Sequence, residues 1–234
     1  DITDIIRQLH HVVDESVEVC SNEVAEDTDP FDISKIDFER LKQEFDRSPA
    51  KQTTTQSLKF VIEKRLKRLM NQNPLRTNFQ EHYEKILAEY NKEKDRATIE
   101  KTFEELLKFM RDMNEEESRA MREGLDEETL AIFDLLRKPE LSPTEIKNIK
   151  GIAKELLKSL KAEKLRIDHW QDKESARDGI RQTIRDFLWS DSTGLPESLY
   201  SEDEVNKRAD EVFRHVFRVY PTVPSPYYKA QDIA

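Results

Sequence analysis

This 234-residue chain has only four glycines, Gly124, Gly151, Gly179 and Gly194, scattered singly and none preceding Lys-Ser or Lys-Thr. A nucleotide-hydrolysing motor needs clustered glycines so that backbone N–H groups can close around phosphates, so ATP hydrolysis is not expected within this stretch. Scarce glycine also argues against a sheet rich in tight turns. A single cysteine, Cys20, excludes an intramolecular disulfide, and its place at a helix end beside an acidic loop does not favour a nucleophilic thiolate. With no signal peptide ahead of it, the expected setting is the reducing cytoplasm. No apolar run approaches the roughly 18 residues that a membrane helix requires, so the chain is read as soluble, without a membrane partner. Neither H-E-x-x-H nor C-x-x-C occurs, and His10, His11, His82, His169 and His215 are scattered. Each reads as a packing or surface residue, and no metal or cofactor site is expected in this stretch.

Charge is what the chain has in abundance. Charged residues make up 38%, the net charge is -10, and the mean hydropathy is -0.83. The acidic balance opposes nucleic-acid binding through the whole surface, although a local basic stripe can survive on such a body. The composition and the spacing of apolar residues predict an all-α fold: an irregular multi-helix bundle of about eight to ten helices with no sheet. The opening DITDIIRQLHHVV lacks an initiator Met and is already in helical period, which suggests a piece excised from a longer chain.

Periodicity predicts a helix over Thr3–Val19, then an acidic loop containing Pro30, then a short helix over Asp37–Phe45. SPAKQTTT, Ser48 to Thr55, reads as a linker, and Leu58, Val61, Ile62, Leu66, Leu69 and Met70 define a helix ending before Asn73-Pro74. Phe79, Tyr83, Ile86, Leu87 and Tyr90 mark another, as do Ile99, Phe103, Leu106, Leu107 and Met110, and a short helix is expected over Glu115–Glu123. Gly124 suits a left-handed stop, Asp126 an N-cap, and Pro139 the end of the run that holds Leu130, Phe133 and Leu136. SPTE at Ser142–Glu145 and SEDE at Ser201–Glu204 are capping boxes. The first opens a helix that carries Ile149, Ala153 and Leu156 and is expected to run on toward Trp170. A helix over Lys173–Trp189 lies between them. The tail YPTVPSPYYKAQDIA has three prolines and reads as extended or loosely docked.

The chemistry-bearing candidates are basic lines. Lys147, Lys150, Lys154, Lys158 and Lys161 recur at spacings of three and four, and Arg177, Arg181 and Arg185 repeat every fourth residue. Such lines suit phosphates or an acidic partner. The plainer alternative is a solvated helix face, with Glu174 and Asp178 in reach of the arginines. Lys59, Lys64, Arg65, Lys67 and Arg68 form a third basic cluster. Glu145-Ile146-Lys147 spells half of a PD-(D/E)xK nuclease motif, but it opens a capped helix where that chemistry needs a strand.

NPLRTNFQEHYEKILAEYNKEKDRATIEKTFEELLKFM and, after it, EEESRAMREGLDEETLAIFDLLRKPELSPTEIKNIKGIAKELLKSL resemble the C-terminal helical region of the restriction subunit of type I restriction-modification enzymes. YNKEKD, EGLDEETLAIFDLL and AKELL carry the match, and DIIRQLHHVVDESVE resembles the segment that joins this region to the motor domains. The resemblance implies three parts: a connector over residues 1–72 toward absent motor domains, a helical domain over 73–220, and an extended tail over 221–234. It further implies a parent chain that is a type I site-specific deoxyribonuclease and ATP-dependent DNA translocase, using ATP and Mg upstream of this stretch. This piece would be non-catalytic. Its implied partners are the methyltransferase and specificity subunits, the motor domains of the same chain and double-stranded DNA. The function implied is docking the motor onto the methyltransferase core, with sequence-independent guiding of DNA by the basic lines as the alternative.

Overall fold

The computed structural model describes residues 38–92 and 95–228. The helix expected over Thr3–Val19, the acidic loop, His10, His11 and Cys20 lie outside the described residues. Among the described residues the fold is all-α: nine α-helices, one π turn and one 3-10 turn, with no strand. Packing divides them into two compact units, one holding residues up to Met70 with Arg76–Arg119, the other Asn71–Leu75 with Ala120 onward.

The first unit is built from α1 (Phe38–Arg47), α2 (Lys51–Gln72), α3 (Thr77–Lys92) and α4 (Arg96–Glu117). Apolar residues recurring every third or fourth position, such as Leu58, Ile62, Leu66 and Leu69 on α2 and Phe103, Leu106 and Met110 on α4, are fully buried against one another. Phe45 stacks on Phe103 with ring centroids 3.6 Å apart. The linker expected over Ser48–Thr55 is a correction: α2 starts at Lys51. Its polar, β-branched run is tolerated because Thr54 and Thr55 donate back to the carbonyls of Ala50 and Lys51 at 3.2 and 3.0 Å while burying their methyl faces. The helix expected over Glu115–Glu123 is also divided differently. α4 continues through Glu117, and Ser118, whose hydroxyl donates to the Asn114 carbonyl, separates it from α5 (Arg119–Glu123).

The second unit holds α6 (Glu127–Leu136), α7 (Pro143–Ser159), α8 (Glu174–Trp189) and α9 (Glu202–Val219). Its helix ends follow the local signals. Gly124 has φ 68°, a left-handed geometry that ends α5, and Asp126 accepts from the Thr129 N–H at 2.6 Å to open α6. Ser142 and Ser201 form complete capping boxes with Glu145 and Glu204. Beyond Ser159 the helix does not run on unchanged toward Trp170. A π turn at Leu160–Lys164 and a 3-10 turn at Trp170–Asp172 intervene. The Leu165 N–H bonds the Leu160 carbonyl at 3.0 Å, so two leucines five apart both reach the core.

Polar anchors lock this core. Trp170, fully buried, donates its indole N–H to the Tyr220 carbonyl at 2.8 Å, and Tyr200 donates to the Leu136 carbonyl at 2.7 Å. Asn73 donates to Asp134 at 2.7 Å, with both residues buried. Tyr228 donates its hydroxyl proton to the Gln72 carbonyl at 2.6 Å. Its oxygen lies 3.1 Å from His215 Nε2, so that nitrogen is the donor. Burial, with the charge of Arg218 adding to it, pushes the His215 pKa down to about 3.

Candidate docking surface

α7 is the element on which the candidate residues gather. Its start is fixed by the Ser142 box and by Pro143 at the first helical position, and Ile149, Ala153, Leu156 and Leu157 point its apolar face into the core. At about 100° per residue, Lys147, Lys154 and Lys158 share one line within about 40°, spanning about 16 Å, whereas Lys150 lies about 60° to one side. That offset separates their roles.

Lys150 reaches α5, where it pairs with the Glu123 carboxylate at 2.7 Å and donates to the Glu123 carbonyl at 2.8 Å. Lys161, in the π turn, pairs with Glu128 at 2.8 Å, and the same carboxylate accepts from the Tyr220 hydroxyl. Lys147 and Lys154 are exposed with no ion pair among the described residues, and exposed Lys158 has only a 3.7 Å approach to Glu155. A pair that open to water contributes little. The five-lysine stripe is therefore three exposed cations flanked by two that tie α7 and its π turn to α5 and α6.

The arginine line on α8 is engaged within the protein. Arg177 donates to the Gln171 carbonyl at 2.7 Å, and Arg181 pairs with Asp178 at 3.2 Å while lying over the Phe213 ring at 4.4 Å. Arg185 approaches Asp210 at 3.9 Å. The basic cluster of α2 is likewise partly internal. Arg65 binds Glu117 through two nitrogens at 3.0 and 2.6 Å, and Arg68 reaches the same carboxylate at 3.0 Å. Burial opposes ionisation of Glu117, but the hydrogen bond and charge of Arg65, with Arg68, outweigh it and hold the carboxyl below its ordinary range. Glu145 accepts from the Ser142 N–H at 2.7 Å, which likewise lowers its pKa. Its Oε2 thus caps α7, while the side chain also lines the groove beside that helix.

Spacing did not single out the groove that runs beside the exposed lysines, about 1210 Å³ in volume. One wall is the exposed side of α7, with Glu145, Lys147, Asn148, Gly151 and Glu155. The other is the connection from α8 to α9, with Trp189, Asp191, Thr193 and Glu197. Ile152, Leu195, Tyr200 and Val205, all buried, form its floor. Gly194 makes the connection possible, since a Cβ there would stand 2.4 Å from the Leu188 carbonyl oxygen. Sequence spacing is blind to such a groove because its walls lie some forty residues apart; the only local sign was the SDSTGLP turn signal before the second capping box.

A family model described as type I restriction enzyme HindI endonuclease subunit-like, C-terminal, matches residues 2–220. An endonuclease subunit from Methanocaldococcus jannaschii, named for the type I restriction enzyme MjaIXP, is 25% identical over 153 residues. That alignment covers 64% of this chain and 14% of the relative, so the chain spans a small part of that protein's length. No solved structure matches. Among the described residues no helix is long and apolar enough to cross a membrane.

Proposed function

The chain belongs to the family of type I restriction enzyme HindI endonuclease subunit-like C-terminal regions, and from that premise we propose that it is a non-catalytic assembly module. In this reading it docks an ATP-dependent DNA translocase and endonuclease onto the methyltransferase and specificity subunits of a cytoplasmic complex. ATP and Mg²⁺ then serve motor domains elsewhere in the parent chain. The observation that carries the reading is the way the basic candidates are used. Lys150, Lys161, Arg177 and Arg181 all have partners within the protein. A continuous phosphate-tracking stripe is thereby reduced, and a mixed-charge helical surface beside a groove remains, which suits a protein partner.

Size-exclusion titration of the chain against the methyltransferase–specificity core tests this. Co-elution in the absence of DNA, weakened only modestly by salt, is the expected result. The second reading, a DNA-guiding surface, draws on Lys147, Lys154 and Lys158 alone. It expects binding to duplex DNA of any sequence with a steep salt dependence, reduced by about one counterion for each lysine changed to Glu. DNA binding of that kind, with no co-elution, would replace the first reading by the second.

A further inference from the structure

The groove between α7 and the α8–α9 connection is the seat, we propose, of a basic amphipathic helix supplied by the partner complex, an inference that rests on the docking reading above. Charge selects the occupant. Glu145, Glu155, Asp191 and Glu197 bring four carboxylates to the lining against the single ammonium of Lys147. Two sit on each wall, and those on α7 are ten residues apart, about 15 Å along the axis. A segment presenting Lys or Arg on both flanks over two to three turns meets a carboxylate on either side. A phosphate backbone meets repulsion instead.

The floor and rim supply the apolar half. Ile152, Leu195, Tyr200 and Val205 pave the floor, and Trp189 stands on the rim with 37% of its surface exposed. Its indole N–H donates to Asn206 at 3.3 Å, which fixes the ring, and tryptophans so placed are the residues most often decisive in protein interfaces. The volume exceeds the roughly 300–1,000 Å³ of small-molecule pockets. An enclosed metabolite is therefore a poor match.

Gly151 is the third observation. It occupies the middle of α7, has no unusual φ, and a Cβ built on it meets nothing within 4 Å. Glycine inside a helix is unfavourable, and nothing among the described residues requires one here. Its position on the groove wall supplies a reason: bare backbone lets a second helix approach closely.

The test compares the chain with two variants, Gly151→Leu and the pair Glu155→Lys with Asp191→Lys, by titration against the methyltransferase–specificity core and by thermal melting. The Leu side chain enters open space on a helix, so Gly151→Leu is expected to melt at or above the parent temperature while losing affinity by about tenfold or more, as blocked interface centres do. The charge-reversed pair, which changes only exposed positions, is expected to lose affinity similarly and to remain folded. Wild-type affinity in both variants would overturn the inference and leave the docking reading standing. Failure of the unmodified chain to bind the core would overturn both.

Discussion

The two compact units solve the same problem of burying polar groups by different means, and the difference shows how each fold uses its charged side chains. The first unit places full charges inside. Arg65, whose side chain is 2% exposed, is held by Glu117, and Arg76, equally buried, pairs with Glu116 at 2.9 Å. The second unit buries mainly neutral donors: the Trp170 indole, the Tyr200 and Tyr228 hydroxyls and the His215 ring. Among its charged groups Asp134 is buried against Asn73, whereas Lys150 and Lys161 brace α7 nearer the surface and carboxylates line the groove. Two arginines of the first unit are consumed by the fold. In the second the charge along the groove is left where recognition can use it.

The comparison breaks most sharply at Trp170. Replacing it by Ala removes the largest buried side chain of the second unit and orphans the Tyr220 carbonyl, so urea denaturation followed by circular dichroism should show a loss of about 3–5 kcal/mol. A value below 1 kcal/mol would mean that the neutral anchors do not hold that unit together.

Glu117→Gln tests the charged strategy. It leaves Arg65 buried without its counter-charge and should cost about 3 kcal/mol, the low end for a broken buried pair because Glu117 is a quarter exposed. The combined change Arg65→Met with Glu117→Leu should recover most of that loss. Equal instability in the double variant would show that the ion pair itself, rather than the orphaned charge, is what stabilises the unit.

The smallest expected effect separates the units by pH. The folded pKa of His215, about 3, lies below its ordinary 6.5, so between those values the unfolded chain binds the extra proton and stability falls with falling pH. Glu117 is also depressed, but from 4.5, so its contribution stays whole above that value and is lost only as pH drops through its folded pKa. Between pH 7 and 5 the second unit should therefore weaken by about 2 kcal/mol through His215 while the pair in the first holds. Denaturation of His215→Leu at both pH values checks it: a dependence as steep as in the parent chain would assign the effect to another group.

Much of the fold was legible because its signals are local. Ser142, Ser201, Asp126 and Gly124 act on backbone groups within a few residues, and the helices they bound begin and end where those residues require. Thr54 and Thr55 misled for the converse reason: their bonds to Ala50 and Lys51 are local, but the burial of their side chains is set by packing that no short window contains. The π turn after Ser159 was likewise hidden, since only the core decides that Leu160 and Leu165 must both point inward.

The candidate site divides along the same line. Periodicity placed five lysines on or beside one helix face; it turns Lys150 to one side but does not say what Lys150 meets there. The carboxylates that Lys150 and Lys161 meet, Glu123 and Glu128, stand more than twenty-five residues away in sequence and come within 3 Å only on folding. By itself the sequence determined the helical class, the capped ends and the kind of residue on offer, because hydrogen bonding and amphipathic period act over one or two turns. Tertiary structure alone decided which cations are consumed and where a groove opens beside Gly151, because pairing and shape are set by residues that meet only through packing.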